Sequence, residues 1–213
     1  MNGQTTHDHD CNLEVALDFL NTRELDSGAL VDRLETPGQA IGWLSERGIV
    51  HAELLEPERE RAEREPETGE RALTRIRRVR DALREVSHAV VEERRPTAAA
   101  LAEVNRALRA REVIQLEASE EGVAVGHRHV GDPIDDALAR LAEPIVREIS
   151  GGRSDRLRIC DNDTCRWVFY DSSPTGRRRW CSMATCGNRA KARRHRERQR
   201  AEKAGTAEAA RPN

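Results

Sequence analysis

Hydrophobic positions along the chain recur mostly at helical spacing, separated by polar stretches. Leu13 to Thr22 presents Val15, Ala16, Phe19 and Leu20 as a short apolar face, which predicts a helix. Thr36-Pro37 reads as an N-cap with proline at the first helical position. Ile41, Trp43 and Leu44 follow before Gly48, so a helix is expected from Pro37 to Arg47. Leu73, Ile76, Val79, Leu83, Val86 and Val90 lie three or four residues apart, a stripe that lines one face of a long helix. Leu101, Val104 and Leu108 repeat the pattern after Pro96-Thr97, and Leu138, Leu141, Ile145 and Ile149 repeat it again. Pro144 is placed to kink that last helix.

Two stretches depart from this period. From Val113, Ile114, Leu116 and Ala118 alternate with polar residues, Glu120-Glu121-Gly122 permits a turn, and Val123 and Val125 lead back, which predicts a β-hairpin. Between Glu56 and Arg71, 11 of 16 residues are charged, with prolines at Pro57 and Pro66. That stretch is expected to be a linker or a solvated helix start.

The 213 residues allow one medium domain or two small ones. Aromatics are only 3% of the chain against 37% apolar residues, so Leu, Val, Ile and Ala must build the core, and helices are favoured over a β-sandwich. The expected class is mainly α (α+β): a helical N-terminal region with one small antiparallel hairpin, then a cysteine-containing module with a basic helix. No stretch reaches the roughly 18 apolar residues of a membrane span. The first residues lack the basic-then-apolar order of a signal peptide. A cytoplasmic protein with no membrane partner is expected.

Charge divides the chain at Gly151-Gly152. From Arg153 onward 16 Lys plus Arg stand against 7 Asp plus Glu, a net +9, while the preceding 152 residues carry −11. An acidic body joined to a basic module points to a polyanionic partner. Ser150 to Arg153 reads as the hinge between them.

Four of the five cysteines fall in the basic module, as Cys160, four residues, Cys165, fifteen residues, Cys181, four residues, Cys186. Two close pairs in a reducing compartment bind metal more often than they form disulfides; free buried thiols or a redox pair are the alternatives. Four thiolates suit one Zn²⁺ tetrahedrally and close its coordination sphere, which makes a zinc there structural rather than catalytic. Trp167, Phe169, Tyr170 and Trp180 lie in the same segment and supply the small cluster that a thin module needs. Leu157 to Ile159 and Trp167 to Tyr170 read as strands, with Asn162 and Asp163 turning the first loop.

Gly187 to Lys203 has strong helix formers and almost no large apolar residue. Arg189, Arg193, Arg196 and Arg200 share one face; Lys191, Arg194 and Arg198 share another. Such a helix repels itself and is neutralised on a phosphate backbone, the alternative being a disordered basic tail. Arg177, Arg178 and Arg179 are candidate nucleic-acid contacts that can also offset the thiolate charge. Arg189 and Asn188 are the candidates for base edges, because guanidinium and carboxamide pair bidentately with guanine and adenine.

Trp180-Cys181-Ser182-Met183, Cys186-Gly187-Asn188-Arg189 and Lys191 together resemble the CGNR zinc-finger family, with Phe169, Asp171, Ser173 and Arg178-Arg179 also in place. Leu17-Asp18-Phe19-Leu20-Asn21-Thr22 resembles the start of the ABATE domain that commonly precedes that finger. The resemblance implies a bacterial, stress-related transcription regulator with an ABATE-like domain at 1–152 and a zinc finger at 153–203; residues 204–213 are expected to form a disordered tail. It implies that Cys160, Cys165, Cys181 and Cys186 ligate zinc and that Asn188, Arg189 and Lys191 belong to the signature at the helix start. Ser173-Pro174-Thr175-Gly176 stands where such sequences are more polar and basic.

His7, His9 and Cys11 are a further metal candidate in a mobile terminus. Asp18, Asn21 and Thr22 either line a pocket or cap a helix and satisfy buried backbone. His127 and His129 share a face of the return strand. There is no Gly-rich phosphate loop, nucleophile elbow or metalloprotease His-Glu pair, so no enzyme is expected. The leading function is a DNA-binding transcriptional regulator. The competitors are an RNA-binding or ribosome-associated protein, with Trp167 and Tyr170 stacking on bases, and a redox-sensing zinc-thiolate module. A homodimer would double the contacts on a palindromic site.

Overall fold

The computed structural model describes residues 12–26, 29–109, 112–119, 122–129, 131–152 and 154–209. Asn12 opens the first helix, α1 (Leu13–Asn21), by accepting the Val15 N–H on its side chain at 2.9 Å, which satisfies one of the donors a helix start leaves orphaned. A hairpin follows, β1 (Arg23–Asp26) with β2 (Ala29–Asp32), Arg23 opposite Asp32 and Leu25 opposite Leu30. The sequence reading does not anticipate it, because Leu30 is exposed and β2 has no buried face to impose an alternation.

Thr36 and Gln39 form the reciprocal capping box of α2 (Pro37–Glu46). The charged stretch from Glu56 is helical on both sides of Glu65, within α3 (Ala52–Arg64) and α4 (Pro66–Val91). The helix alternative holds for it and the linker does not. Its charges pair within single turns, Arg59 with Glu56 and Glu63 and Arg61 with Glu58, while Ala62 is buried.

Helix α4 runs through the middle of the body and touches α1, α2, α3, α5 (Ala98–Ala107) and α6 (Pro133–Ser150). Its stripe buries Leu73, Ile76, Val79, Leu83 and Val86 as the spacing predicts. On α5 the buried face is Ala100, Val104 and Ala107, one residue round from expectation, and Leu101 points outward. Helix α6 is capped by Asp132 and runs unbroken through Pro144. Between α5 and α6 stands the expected hairpin, β3 (Glu112–Ser119) with β4 (Gly122–His129), Leu116 opposite Val125 and Glu112 opposite His129.

After α6 the chain makes a 3-10 turn (Ser154–Arg156), then β5 (Leu157–Ile159) and β6 (Val168–Tyr170), paired antiparallel. A π-turn (Met183–Gly187) leads directly into α7 (Asn188–Ala209). Leu157 and Val168 are fully buried in the same core as α1, α4 and α6. Gly151 and Gly152, read as a hinge, therefore lead at once into a segment that is packed against the body.

Candidate metal centre and nucleic-acid interface

The residue after β5 and the turn that follows supply Cys160 and Cys165, the approach to the π-turn supplies Cys181, and the π-turn itself supplies Cys186. Asn162 shapes the first turn: its carbonyl accepts the Cys165 and Arg166 N–H groups, and its side-chain oxygen accepts from Thr164. Its Nδ2 reaches across to the Cys186 sulfur at 3.5 Å. In the second turn the Gly187 N–H donates to the Ser182 carbonyl. A Cβ on Gly187 would meet Met183 Sδ at 2.8 Å.

The four sulfurs lie within 4.8 Å of one another, with Cys165 to Cys181 and Cys181 to Cys186 both 3.7 Å. A tetrahedron with Zn–S bonds of about 2.3 Å has sulfurs about 3.8 Å apart, so the donor set fits zinc. Electrostatics agree. Hydrogen bonds from Cys165 and Cys181 favour the Cys160 thiolate, and the same sharing pushes the Cys165 and Cys181 thiols up. Thiols this crowded cannot all ionise without a cation among them. Phe169 packs on this cluster, with Trp167 and Trp180 half-buried around it.

Between β6 and Cys181 the loop is held by Asp171, which is fully buried. Burial raises its pKa, but the hydrogen bonds from Ser173 and from the Arg178 N–H outweigh that and bring it to about 2. Arg156 donates to the Ser173 carbonyl at 2.7 Å and Arg158 to the Gly176 carbonyl at 2.5 Å. Gly176 has φ +60°, which favours glycine, and a Cβ there would crowd the Arg156 guanidinium at 3.0 Å. This is what Ser173-Pro174-Thr175-Gly176 does: it docks on arginines of the finger itself.

The finger is joined to the body by polar contacts as well as by Leu157 and Val168. Asn21 receives the Val168 N–H and donates to the Val168 carbonyl. Arg84 of α4 donates to the carbonyls of Leu20, Arg23 and Arg166. Arg166 in turn pairs with Glu92 at 2.7 Å. Of the α1 candidates, Asn21 thus satisfies buried backbone and also lines a cleft. Thr22 caps α1 on the Phe19 carbonyl, and Asp18 pairs with Arg47. The sequence gives no signal for Arg84, an arginine within a charged helix.

The structure sorts the basic candidates into two groups. Arg178 donates to the Cys181 carbonyl and lies over Phe169; Arg179 pairs with Asp161 at 2.6 Å and lies over Trp180. Arg193 approaches Asp163 at 3.7 Å, and Asn188 donates to the Ala184 carbonyl at 3.1 Å. These four side chains are engaged by the finger. Arg177, Arg189, Lys191, Arg194, Arg196, Arg198 and Arg200 are exposed and, among the described residues, have no ion-pair partner. His7, His9 and Cys11 lie outside the described residues, as do the side chains of His127 and His129.

Residues 13–152 match the ABATE family, described as "Putative stress-induced transcription regulator", and residues 156–199 match the CGNR zinc finger. No curated protein matches the chain. The two matches meet where α6 gives way to the 3-10 turn. Among the described residues, no helix is long and apolar enough to cross a membrane.

Proposed function

This chain belongs to the ABATE family and ends in a CGNR zinc finger, and from that premise we propose that it is a DNA-binding transcriptional regulator whose finger holds helix α7 against a duplex. The observation that carries this reading is the contrast in how arginines are used. Arginines of the body are largely spent in ion pairs, Arg80 bidentately on Asp32 and Arg75 on Asp132 and Asp135. Along α7, Arg193 aside, the cations Arg189, Lys191, Arg194, Arg196, Arg198 and Arg200 have no ion-pair partner among the described residues and stand on both flanks. A helix with unpaired cations on two sides suits a groove walled by phosphates on two sides.

The roles follow from position. Cys160, Cys165, Cys181 and Cys186 would hold one structural Zn²⁺, and such an ion supplies shape by drawing the two turns together. Four thiolates close the coordination sphere, in keeping with a non-enzymatic role. Asn162, Ser182 and Gly187 fix the turns, and the turn before α7 sets the helix direction. Arg189, in the first turn of α7, is the base-reading candidate. Asn188 is tied to Ala184 and shapes the turn instead. Arg194, Arg196, Arg198 and Arg200 contact phosphate and set affinity without sequence preference. The half-buried Trp167 and Tyr170 favour duplex DNA over unpaired RNA, because stacking on bases needs exposed rings.

The test is selection of bound duplexes from a random library by the zinc-loaded protein, followed by a salt titration. A discrete consensus and a slope of log K against log salt near about −4.5, for roughly five phosphate contacts, is the expected result. A slope near zero, or preference for single-stranded RNA, overturns the reading.

A further inference from the structure

Arg23 at the start of β1, one face of α4 and Arg94 beyond its end line a cavity of ≈ 210 Å³ on the body. It shares no residue with the sulfur cluster. The α4 residues are Asp81, Arg84, Glu85 and His88, whose offsets of three, four and seven bring them side by side. The cavity is smaller than the roughly 300 Å³ at which sites for drug-sized molecules begin, so its occupant is a small ion or a single chemical group.

The polar groups define the chemistry of that occupant. Three arginines stand against two carboxylates. Asp81 is answered by Arg80 and Arg23, and Glu85 Oε1 accepts from Arg94 and from the Thr97 N–H. Carboxylates already held by arginines do not suit a metal cation. Arg84 makes no ion pair among the described residues, its terminal nitrogens donating to carbonyls. A partly buried guanidinium without a carboxylate of its own favours a bound anion. Arg94 spends Nε on Glu92 and Nη1 on Glu85, which leaves Nη2 to donate elsewhere.

A bare anion would not satisfy the cavity, however. Glu85 Oε2 and His88 Nε2 are both buried and have no hydrogen-bond partner among the described residues. An ionised carboxylate only accepts, so Glu85 needs a donor from the occupant. Burial lowers the pKa of His88 to about 4, which keeps the ring neutral. Its Nδ1 lies 3.8 Å from Glu92, beyond hydrogen-bond distance, so the ring is free to carry its proton on Nε2 and donate.

We propose that this cavity binds a protonated phosphate, with its P–OH donating to Glu85 Oε2 and its charged oxygens accepting from His88 Nε2 and Arg94 Nη2 beside the charge of Arg84. Sulfate has the same shape but no O–H to give, and a phosphodiester has none either, so the site is not a further contact to a nucleic-acid backbone. The same chemistry is offered by the free ion and by a terminal phosphate monoester. Arg84 also donates to the Arg166 carbonyl, so the bound charge sits at the joint between α4 and the finger.

Calorimetric titration of the zinc-loaded full chain near about pH 6.5 with inorganic phosphate, sulfate and methyl phosphate tests it. Phosphate binds one to one and at least about tenfold tighter than sulfate, the worth of one hydrogen bond to a charged group. Binding of methyl phosphate upholds the site and identifies a monoester as a competent occupant; its exclusion upholds the site for the free ion. Glu85→Gln keeps the acceptor for Arg94 and Thr97 but presents an amide donor to the cavity, so sulfate now binds and the discrimination is lost. His88→Phe weakens phosphate by about tenfold. Circular dichroism and zinc content confirm that the variants fold, and the comparison of phosphate with sulfate on the wild type needs no variant. Absence of phosphate binding, equal affinity for sulfate in the wild type, continued exclusion of sulfate by Glu85→Gln, or an unchanged phosphate affinity in His88→Phe overturns the proposal. These titrations contain no nucleic acid, so they stand whatever becomes of the DNA-binding reading.

Discussion

Asn21 holds the Val168 peptide by both ends: its Nδ2 donates to the Val168 carbonyl at 2.8 Å, and the Val168 N–H donates to its Oδ1 at 3.0 Å. One side chain at the end of α1 thereby completes the backbone of β6, 147 residues away in sequence. The strand that follows the first zinc turn is thus fastened to the first helix of the body.

Asn21→Ala leaves a buried N–H and a buried carbonyl without partners, at a cost of about 3 kcal/mol. Chemical denaturation of the zinc-loaded protein measures it. Asn21→Asp keeps the acceptor, loses the donor and falls between the two.

Arg84→Met strips three carbonyls of their donor and cuts the tie from α4 to Arg166. Burial and the neighbouring Arg23 already lower the pKa of this guanidinium, so it is held by its hydrogen bonds rather than by a matching carboxylate. A loss of about 2 kcal/mol is expected, together with faster zinc release to a chelator in stopped-flow measurements. Arg84→Lys does not rescue, because one ammonium cannot span three carbonyls.

Removing the metal, or Cys181→Ser, uncouples the two turns. Near-ultraviolet circular dichroism from Trp167 and Trp180 is expected to collapse while most far-ultraviolet helical signal persists, because the core that α1 to α6 share is separate from the cluster around the four sulfurs. One equivalent of zinc, counted by atomic absorption, restores the signal.

Alanine at Lys191, Arg194 and Arg198 together lowers the magnitude of the salt slope by roughly 2.7 with stability unchanged. Arg178→Ala or Arg179→Ala has the opposite signature: the slope holds and stability falls, because those side chains serve Cys181 and Asp161. Fluorescence anisotropy across a salt series separates the two classes.

His88 on α4 provides a pH signature. Burial lowers its pKa to about 4, helped by Arg84 and Arg166 and opposed by Glu92. The unfolded chain takes up this proton near the ordinary value of 6.5 while the folded chain stays neutral, so stability is full above about pH 6.5 and is lost as pH falls toward 4. His88→Leu flattens that part of the stability profile, and NMR titration of the ring in the wild type gives the depressed pKa directly.

The stripe of α4, the Thr36 cap, the hairpin after α5 and the two cysteine pairs were all legible because each is a local code. Helical period, capping chemistry and ligand spacing operate within a few residues and hold wherever the segment ends up. The short β1–β2 hairpin was not legible, because β2 exposes its apolar residues and leaves no alternation to read.

By itself the sequence determined the helical class, the division into an acidic body and a basic end, and the tetrathiolate set. Only the tertiary structure decided which cations are spent and which are free. Arg177, Arg178 and Arg179 are identical in the sequence; Asp161 and the Cys181 carbonyl capture two of them and leave the first exposed. In the same way Asn21 meets Val168 only once β6 packs against α1. The physical reason is that local preference fixes conformation along the chain, whereas pairing of charges and closure of cavities depend on groups that meet only after distant segments pack.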